Sequence, residues 1–154
     1  MEKNIKLSFL FLRLALGWFY FYAGITKVLN PSWSAKEYLE GAKNFVSFYG
    51  WLGSDEILPI VNFLNEWGLT LLGISLIFGI FVRLSSFLGA VLMLLYYFVL
   101  PFPKPNPYTF IVDDHIIYAF ILILFVVVKA GRFYGFDSYL SQKTWYKKFE
   151  KFLG

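Results

Sequence analysis

Apolar residues are concentrated in four stretches of this chain, at about residues 7–29, 59–81, 84–100 and 114–128. Runs of this length and purity match the thickness of a bilayer's hydrocarbon core, so the pattern predicts four transmembrane helices. The first run is longer than the apolar region of a secretory signal. Arg13 interrupts it and no small-x-small cleavage site follows, so it reads as a retained span. At helical spacing Arg13, Gly17, Tyr20, Gly24 and Lys27 fall on one stripe, whose small residues allow close helix packing.

The connecting segments have characters of their own. Residues 30–58 are too polar to span. Ser34 and Glu37 have the spacing of a capping box, and Tyr38, Ala42, Phe45 and Tyr49 recur at helical intervals before Gly50. This predicts an amphipathic helix lying in the interface, with Trp33 and Trp51 at headgroup level. Ser54, Asp55 and Glu56 supply an acidic first turn for the second span. Spans two and three are nearly continuous and form a tight hairpin closed near Arg83, with Ser85, Gly89 and Tyr96 on one face of span three. PFPKPNP, from Pro101 to Pro107, is a stiff connector because each proline fixes its own φ and restrains its predecessor. The tail interleaves Trp145, Phe149 and Phe152 with Lys143, Lys147, Lys148 and Lys151, a basic amphipathic segment suited to an anionic leaflet.

Composition agrees with a membrane class: 58% of residues are hydrophobic, 23% aromatic and only 16% charged, with mean hydropathy +0.61. The chain lacks cysteine and has a single histidine, His115. That excludes disulfides, thiolate chemistry, iron–sulfur clusters and bis-histidine haem, and leaves no basis for a zinc or copper site. No metal and no covalently bound cofactor is expected. The net charge of +4 does not indicate nucleic acid, because basic residues gather at span ends. Nine Lys and Arg residues outside the spans fall on the side of the termini and of Arg83, against Lys27, Lys36, Lys43 and Lys104 on the other. This bias predicts a multi-pass protein of the cell membrane with both termini cytoplasmic.

Candidate chemistry collects toward the other, outer side. Asn62, Asn65 and Glu66 sit in the first half of span two, where an ionisable group costs roughly 2.5–3.5 kcal/mol at mid-membrane and ordinarily faces protein or a water-filled cavity. Lys27 ends span one on the same side, and Asp113, Asp114, His115 and Tyr118 open span four. A Glu, a Lys, an Asp and a His at one depth can relay protons or bind a small anion. Glu66, Asp114 and His115 are therefore the catalytic candidates, and Lys27, Asn62 and Arg13 the substrate-binding ones. Each has a structural alternative. Glu66 can pair with Arg13 or Lys27 to set helix register. Asp113 and Asp114 suit a helix N-terminus through its dipole alone, and His115 can bond a neighbouring carboxylate. Arg13 can snorkel, and Arg83 suits a turn. Walker, GxGxxG, HExxH and GxSxG motifs are missing, which argues against an ATP-driven pump.

Three stretches, RLALGWFYFYAGITKVLNPSWSA at 13–35, NEWGLTLLGISLIFGIFVRLSS at 65–86, and DDHIIYAF with KAGRFYGFD at 113–120 and 129–137, resemble the DoxX family, in particular its DoxD-like branch. The resemblance implies a single four-helix membrane domain over residues 1–154. It also implies a role as the small membrane subunit of thiosulfate:quinone oxidoreductase, with quinone as electron acceptor. It points to Arg13, Lys27, Glu66, Arg83, Asp114 and His115. On that basis Lys27 and His115 would attract an anion such as thiosulfate, while Glu66 and Asp114 would exchange protons at a quinone head between spans one, two and four. Without cysteine, sulfur–sulfur coupling would be non-covalent or occur on a partner, and a DoxA-like extracytoplasmic or membrane partner is implied. Two further functions fit the same residues: a non-catalytic membrane anchor or assembly factor for an extracytoplasmic partner, and a small-anion or solute transporter. An oligomer is compatible with each.

Overall fold

The computed structural model describes residues 2–153; residues 1 and 154 and the side chain of Lys151, counted above with the basic tail, lie outside the described residues. The described residues are all-helical. Four long helices, α1 (Lys3–Val28), α4 (Leu58–Phe78), α5 (Val82–Val99) and α6 (Asp114–Val128), carry the apolar runs. Between α1 and α4 lie α2 (Lys36–Glu40) and α3 (Val46–Leu52), and after α6 come α7 (Asp137–Leu140), α8 (Thr144–Lys148) and α9 (Glu150–Leu153). The end of the bundle that holds the start of α1 and the tail is called the base, and the end that holds α2 and α3 the crown.

By length and composition α1, α4 and α5 can each cross a membrane. α6 is equally apolar but has 15 residues, a rise of about 22 Å against a hydrocarbon core of about 30 Å. Large apolar side chains such as Phe11, Trp18, Phe63, Leu88 and Val127 remain exposed around the bundle, the outer surface expected of helices solvated by lipid rather than water.

The bundle is built from two antiparallel pairs, α1 along α4 and α5 along α6. In the first pair small residues set the distance. A Cβ on Gly24 would strike the Thr70 backbone, one on Gly73 the Phe21 backbone, and one on Gly17 would meet the Ile77 backbone nitrogen at 2.9 Å. The stripe read from the sequence is thus the α1–α4 contact. Leu16, Leu69, Leu72, Leu76, Met93 and Phe125 fill the space between the pairs. α4 and α5 are joined by the tight turn 79–81, where Gly79 takes the left-handed conformation (φ 69°) that glycine accepts without penalty.

The base is closed by a charged knot that the sequence did not announce. Arg13, 1% exposed, donates from Nη1 to the Ala130 carbonyl at 2.8 Å and from Nη2 to that of Tyr134 at 3.4 Å. Asp137 accepts from the Phe81 and Val82 N–H groups at 2.8 and 3.0 Å, and from the Tyr146 hydroxyl at 3.0 Å. Those N–H groups open α5 and have no partner within their own helix. Burial pushes the Asp137 carboxyl above its ordinary range, while these hydrogen bonds and the Arg13 charge hold it down.

The connecting segments depart from the sequence expectation. The interfacial stretch is two short helices, broken where Phe45 adopts a left-handed conformation, and Gly50 lies inside α3 rather than ending a helix. The capping box does not form: Ser34 Oγ accepts from the Lys36 N–H at 3.2 Å and from Asn62, and no side chain caps α2. Hydrogen bonding to α5 competes with local helix continuity. Tyr38 OH and Tyr49 OH donate to the Tyr96 and Leu95 carbonyls at 2.9 and 2.7 Å, and Asn44 Nδ2 to that of Leu100. The Tyr96 carbonyl lies in the last turn of α5 and that of Leu100 just beyond it, where helical partners run out. The acids expected in the first turn of α4 lie before it, and Asp55 pairs with Lys36 at 3.3 Å. The tail is likewise three short helices folded on the base, with Tyr146 fully buried, and not one amphipathic helix.

Glu150 fastens that tail, accepting from Lys129 Nζ at 3.0 Å and Arg132 Nη2 at 2.7 Å. Hydrogen bonds from Arg132 and Lys129 hold its carboxyl at about 2, against an ordinary 4.5. Because the folded carboxyl resists its proton, this fastening is complete above pH 4.5 and lost as the pH falls through about 2. Relative to the intrinsic rate at each pH, the hydrogen-exchange protection of residues 144–153 is expected to fall across that window, and Glu150→Gln is expected to be weakly protected at every pH. Protection that does not change with pH in the unmodified protein would contradict the role of Glu150.

Candidate functional site

The crown half of the bundle contains Lys27, Asn62, Asn65, Glu66, Asp113, Asp114 and His115, and the helix pairing sorts most of them into two sets. Across the α1–α4 contact, Phe21 faces Gly73 and Gly24 faces Thr70. One turn nearer the crown this antiparallel register brings Lys27 to the level of Glu66. Both are half-buried, and the Glu66 charge reaches Lys27. Lys27 Nζ instead stands over the Trp33 ring, 5.2 Å from its centre. Asn62, one turn above Glu66, accepts from the Ala35 N–H at 2.9 Å and donates to Ser34 Oγ at 3.3 Å. Asn62 therefore fastens the crown to α4, and both ends of its amide are engaged.

The second set lies between the pairs and draws on α1, α4, α5 and α6. Tyr20, 1% exposed, stands against Tyr118 with ring centres 6.2 Å apart. Asn65 on α4 stands beside the Tyr96 hydroxyl on α5 without completing a well-formed hydrogen bond. The Tyr96 ring meets His115 edge to face at 5.6 Å. His115 Nδ1 donates to Asp113 Oδ2 at 2.6 Å, and Asp113 Oδ1 accepts from the Ile116 N–H at 3.1 Å as the N-cap of α6. That second bond is the ordinary one of an aspartate at a helix start; it also aims the other carboxylate oxygen at the imidazole.

Three atoms in this set have no hydrogen-bond partner although buried: Tyr20 OH, Tyr96 OH and Asn65 Oδ1. A buried polar atom without a partner costs about 1–3 kcal/mol, and a hydrocarbon surround offers no water to relieve it. The two hydroxyls can donate to a ligand that bears carbonyl oxygens, whereas Asn65 Oδ1 can only accept.

The expected site residues thus separate. His115 belongs to the buried set, Lys27 and Glu66 to the α1–α4 rim, and Asn62 to the crown fastening. Asp114 is exposed at the start of α6, and its buried neighbour Asp113 takes the partnership with His115. Arg13 is at the opposite end of the molecule, its guanidinium committed to backbone carbonyls of the base, and does not join the other candidates. Arg83 lies in the first turn of α5, also at the base. Tyr20, Tyr96 and Asn65 were legible as positions on helix faces but not as a cluster. The available signal was polar atoms on stripes otherwise made of small and apolar residues.

The model of the DoxX family matches residues 8–101, from α1 to just past α5, and the chain belongs to that family. No curated protein and no solved structure matches it.

If the two hydroxyls serve a ligand and not the fold, Tyr20→Phe and Tyr96→Phe should leave the thermal unfolding midpoint unchanged or slightly raised, since each removes an unsatisfied donor. Asp113→Ala, which removes a helix cap, should instead cost about 1 kcal/mol. A large loss of stability in either phenylalanine variant would show that its hydroxyl has a structural partner.

Proposed function

We propose that this protein is the membrane subunit of a quinone-linked oxidoreductase, spanning the cell membrane four times with both termini cytoplasmic. The observation that carries the reading is the pair of buried hydroxyls of Tyr20 and Tyr96, which lie near each other in the crown half without hydrogen-bond partners, with Asn65 beside Tyr96. A quinone head is uncharged, planar and carries two carbonyl acceptors, so it complements hydroxyl donors in a low-dielectric site. α6 serves as the fourth span despite its length, since a short span is accommodated by local thinning of the bilayer and by packing along α5.

In this reading Tyr20 and Tyr96 hold and polarise the carbonyls. Reduction of a quinone takes up two protons with two electrons, and the Asp113–His115 pair, against the Tyr96 ring, supplies them from the crown side. Asp113 fixes the tautomer of His115, leaving Nε2 as the exchanging atom. Lys27 at the rim draws an anionic donor toward the crown. Glu66 beside it sets the local charge, and Asp114, exposed at the head of α6, accepts protons from solution. With thiosulfate as donor, two thiosulfate ions yield tetrathionate and two electrons, which balances the quinone step. The chain has no cysteine, so the sulfur–sulfur bond forms between substrate ions or on an extracytoplasmic, DoxA-like partner.

A second reading, a membrane anchor for such a partner, draws on the crown's exposed apolar residues, among them Phe45, Trp51, Phe110 and Tyr108, the last 95% exposed. One experiment separates the two. The protein is purified with whatever accompanies it and assayed for thiosulfate-dependent quinone reduction, alone and as His115→Gln. The redox reading predicts turnover about 100-fold lower in the variant, with normal assembly and loss of one limb of the pH profile. Unchanged turnover of a poorly assembled complex would favour the anchor, and wild-type protein without activity or bound quinone would overturn the redox reading.

A further inference from the structure

α4 and α5 share a tight turn at the base but pack against different partners, α1 and α6. Between them runs an apolar groove of 640 Å³, bounded by Leu64, Gly68 and Leu71 on α4 and by Leu88, Leu92 and Leu95 on α5, and reaching Ile80 and Phe81 at the turn. We propose that this groove holds the single prenyl chain of a membrane quinone whose head lies at Asn65 and Tyr96. The inference rests on the quinone reading above and adds the position of the tail.

Three observations select this occupant. The first is calibre. From residue 64 to residue 80 the groove is about 24 Å long at 1.5 Å per residue, so its 640 Å³ gives a mean cross-section of about 27 Å². A hydrocarbon chain whose neighbours approach to about 4.5 Å needs about 16 Å², so the groove is wide enough for one chain with methyl branches.

The second is continuity. Asn65, Gly68 and Leu72 are spaced i, i+3, i+7 on α4, and Gly89, Leu92 and Tyr96 likewise on α5, so each wall of the groove leads along one helix stripe into the polar set. The third is polarity along its length. At the base end the Ser75 and Ser85 hydroxyls lie 2.6 Å apart with the Ile80 and Val82 carbonyls in reach, and their two protons are shared among these acceptors. At the crown end Asn65 Oδ1 and Tyr96 OH are unsatisfied. They lie about 10 Å below the start of α4 by helix rise, within the hydrocarbon. A charged phosphate headgroup stays at the interface, whereas an uncharged quinone ring enters, so the combination of tail groove and deep polar end fits a quinone better than a phospholipid.

Gly68 provides the test. A side chain there meets nothing within 4 Å, so Gly68→Leu fills the groove without forcing the helices apart, and leucine favours the helix more than glycine does. Gly50→Leu, also in open space but on α3, is the control. Leu88→Trp plugs the opposite wall from an exposed position. Binding of long-chain menaquinone and of menadione, and of long-chain ubiquinone and its tail-less ring, is titrated against each purified protein in nanodiscs. Tryptophan quenching is the readout, and retained phospholipid is quantified by native mass spectrometry.

The ratio of long-chain to tail-less affinity is expected to fall about tenfold in Gly68→Leu and in Leu88→Trp, and to hold in Gly50→Leu. If the ratio is unchanged in both plugged variants while the rings still bind, the groove assignment is wrong and the quinone reading stands. Loss of a retained phospholipid with an unchanged ratio gives the groove to lipid and also overturns the proposal. If no quinone binds the wild-type protein, the quinone reading itself fails and the tail assignment goes with it.

Discussion

Everything in this bundle depends on how the base disposes of two buried charges. Arg13 and Asp137 sit within each other's field, 1% exposed each, and neither is tolerable in a low-dielectric interior without partners. Their solutions use the backbone. Arg13 takes the carbonyls that follow α6, and Asp137 takes the N–H groups that open α5 and the hydroxyl of Tyr146. Glycines at 79, 131 and 135 allow this; a Cβ on Gly131 would collide with the Asp137 carboxylate and one on Gly135 with the Gly131 carbonyl. One knot therefore joins α1, the α4–α5 turn, the end of α6 and the tail.

Pinning the base has a consequence for the crown. Once the four helices meet there, α4 can follow α1 and α5 can follow α6, leaving a seam between the pairs. The polar atoms of Tyr20, Asn65 and Tyr96 gather on the inner side of that seam, and the apolar groove runs on its lipid-facing side. Stability and candidate chemistry are thus held at opposite ends. In the base the Arg13 guanidinium and the Asp137 carboxylate are both hydrogen-bonded, whereas Tyr20 OH, Tyr96 OH and Asn65 Oδ1 of the crown half lack partners.

Much of the architecture could be read from the chain, because lipid enforces long apolar helices and glycine stripes mark where helices touch. The stripe of Arg13, Gly17, Tyr20, Gly24 and Lys27 is indeed the α1 contact face, but its residues serve different ends. Helix rise alone separates Arg13 from Lys27 by about 21 Å, so grouping them in one site was inconsistent with the predicted span. The split of the interfacial helix at Phe45 had no local signal, since it follows from tyrosine and asparagine bonds to α5 that depend on tertiary position. Asp113 rather than Asp114 partners His115 because the N-cap geometry points its carboxylate back along the helix. Asp137 passed as an unremarkable acid after an aromatic-rich stretch; only the fold shows that it caps a helix begun 55 residues earlier. Tyr20 and Tyr96 were legible only as members of helix-packing stripes, because their nearness to each other depends on how α1 and α5 are brought together.

The central claim is that the unsatisfied hydroxyls of the crown half hold a quinone head. The most direct measurement is the amount of quinone that remains with the protein through purification from native membranes, quantified per chain for the wild type and for Tyr20→Phe combined with Tyr96→Phe. The account predicts near-stoichiometric quinone in the wild type and at least a tenfold reduction in the double variant, at equal yield and thermal stability. Equal quinone in both proteins, or none in the wild type, would contradict it.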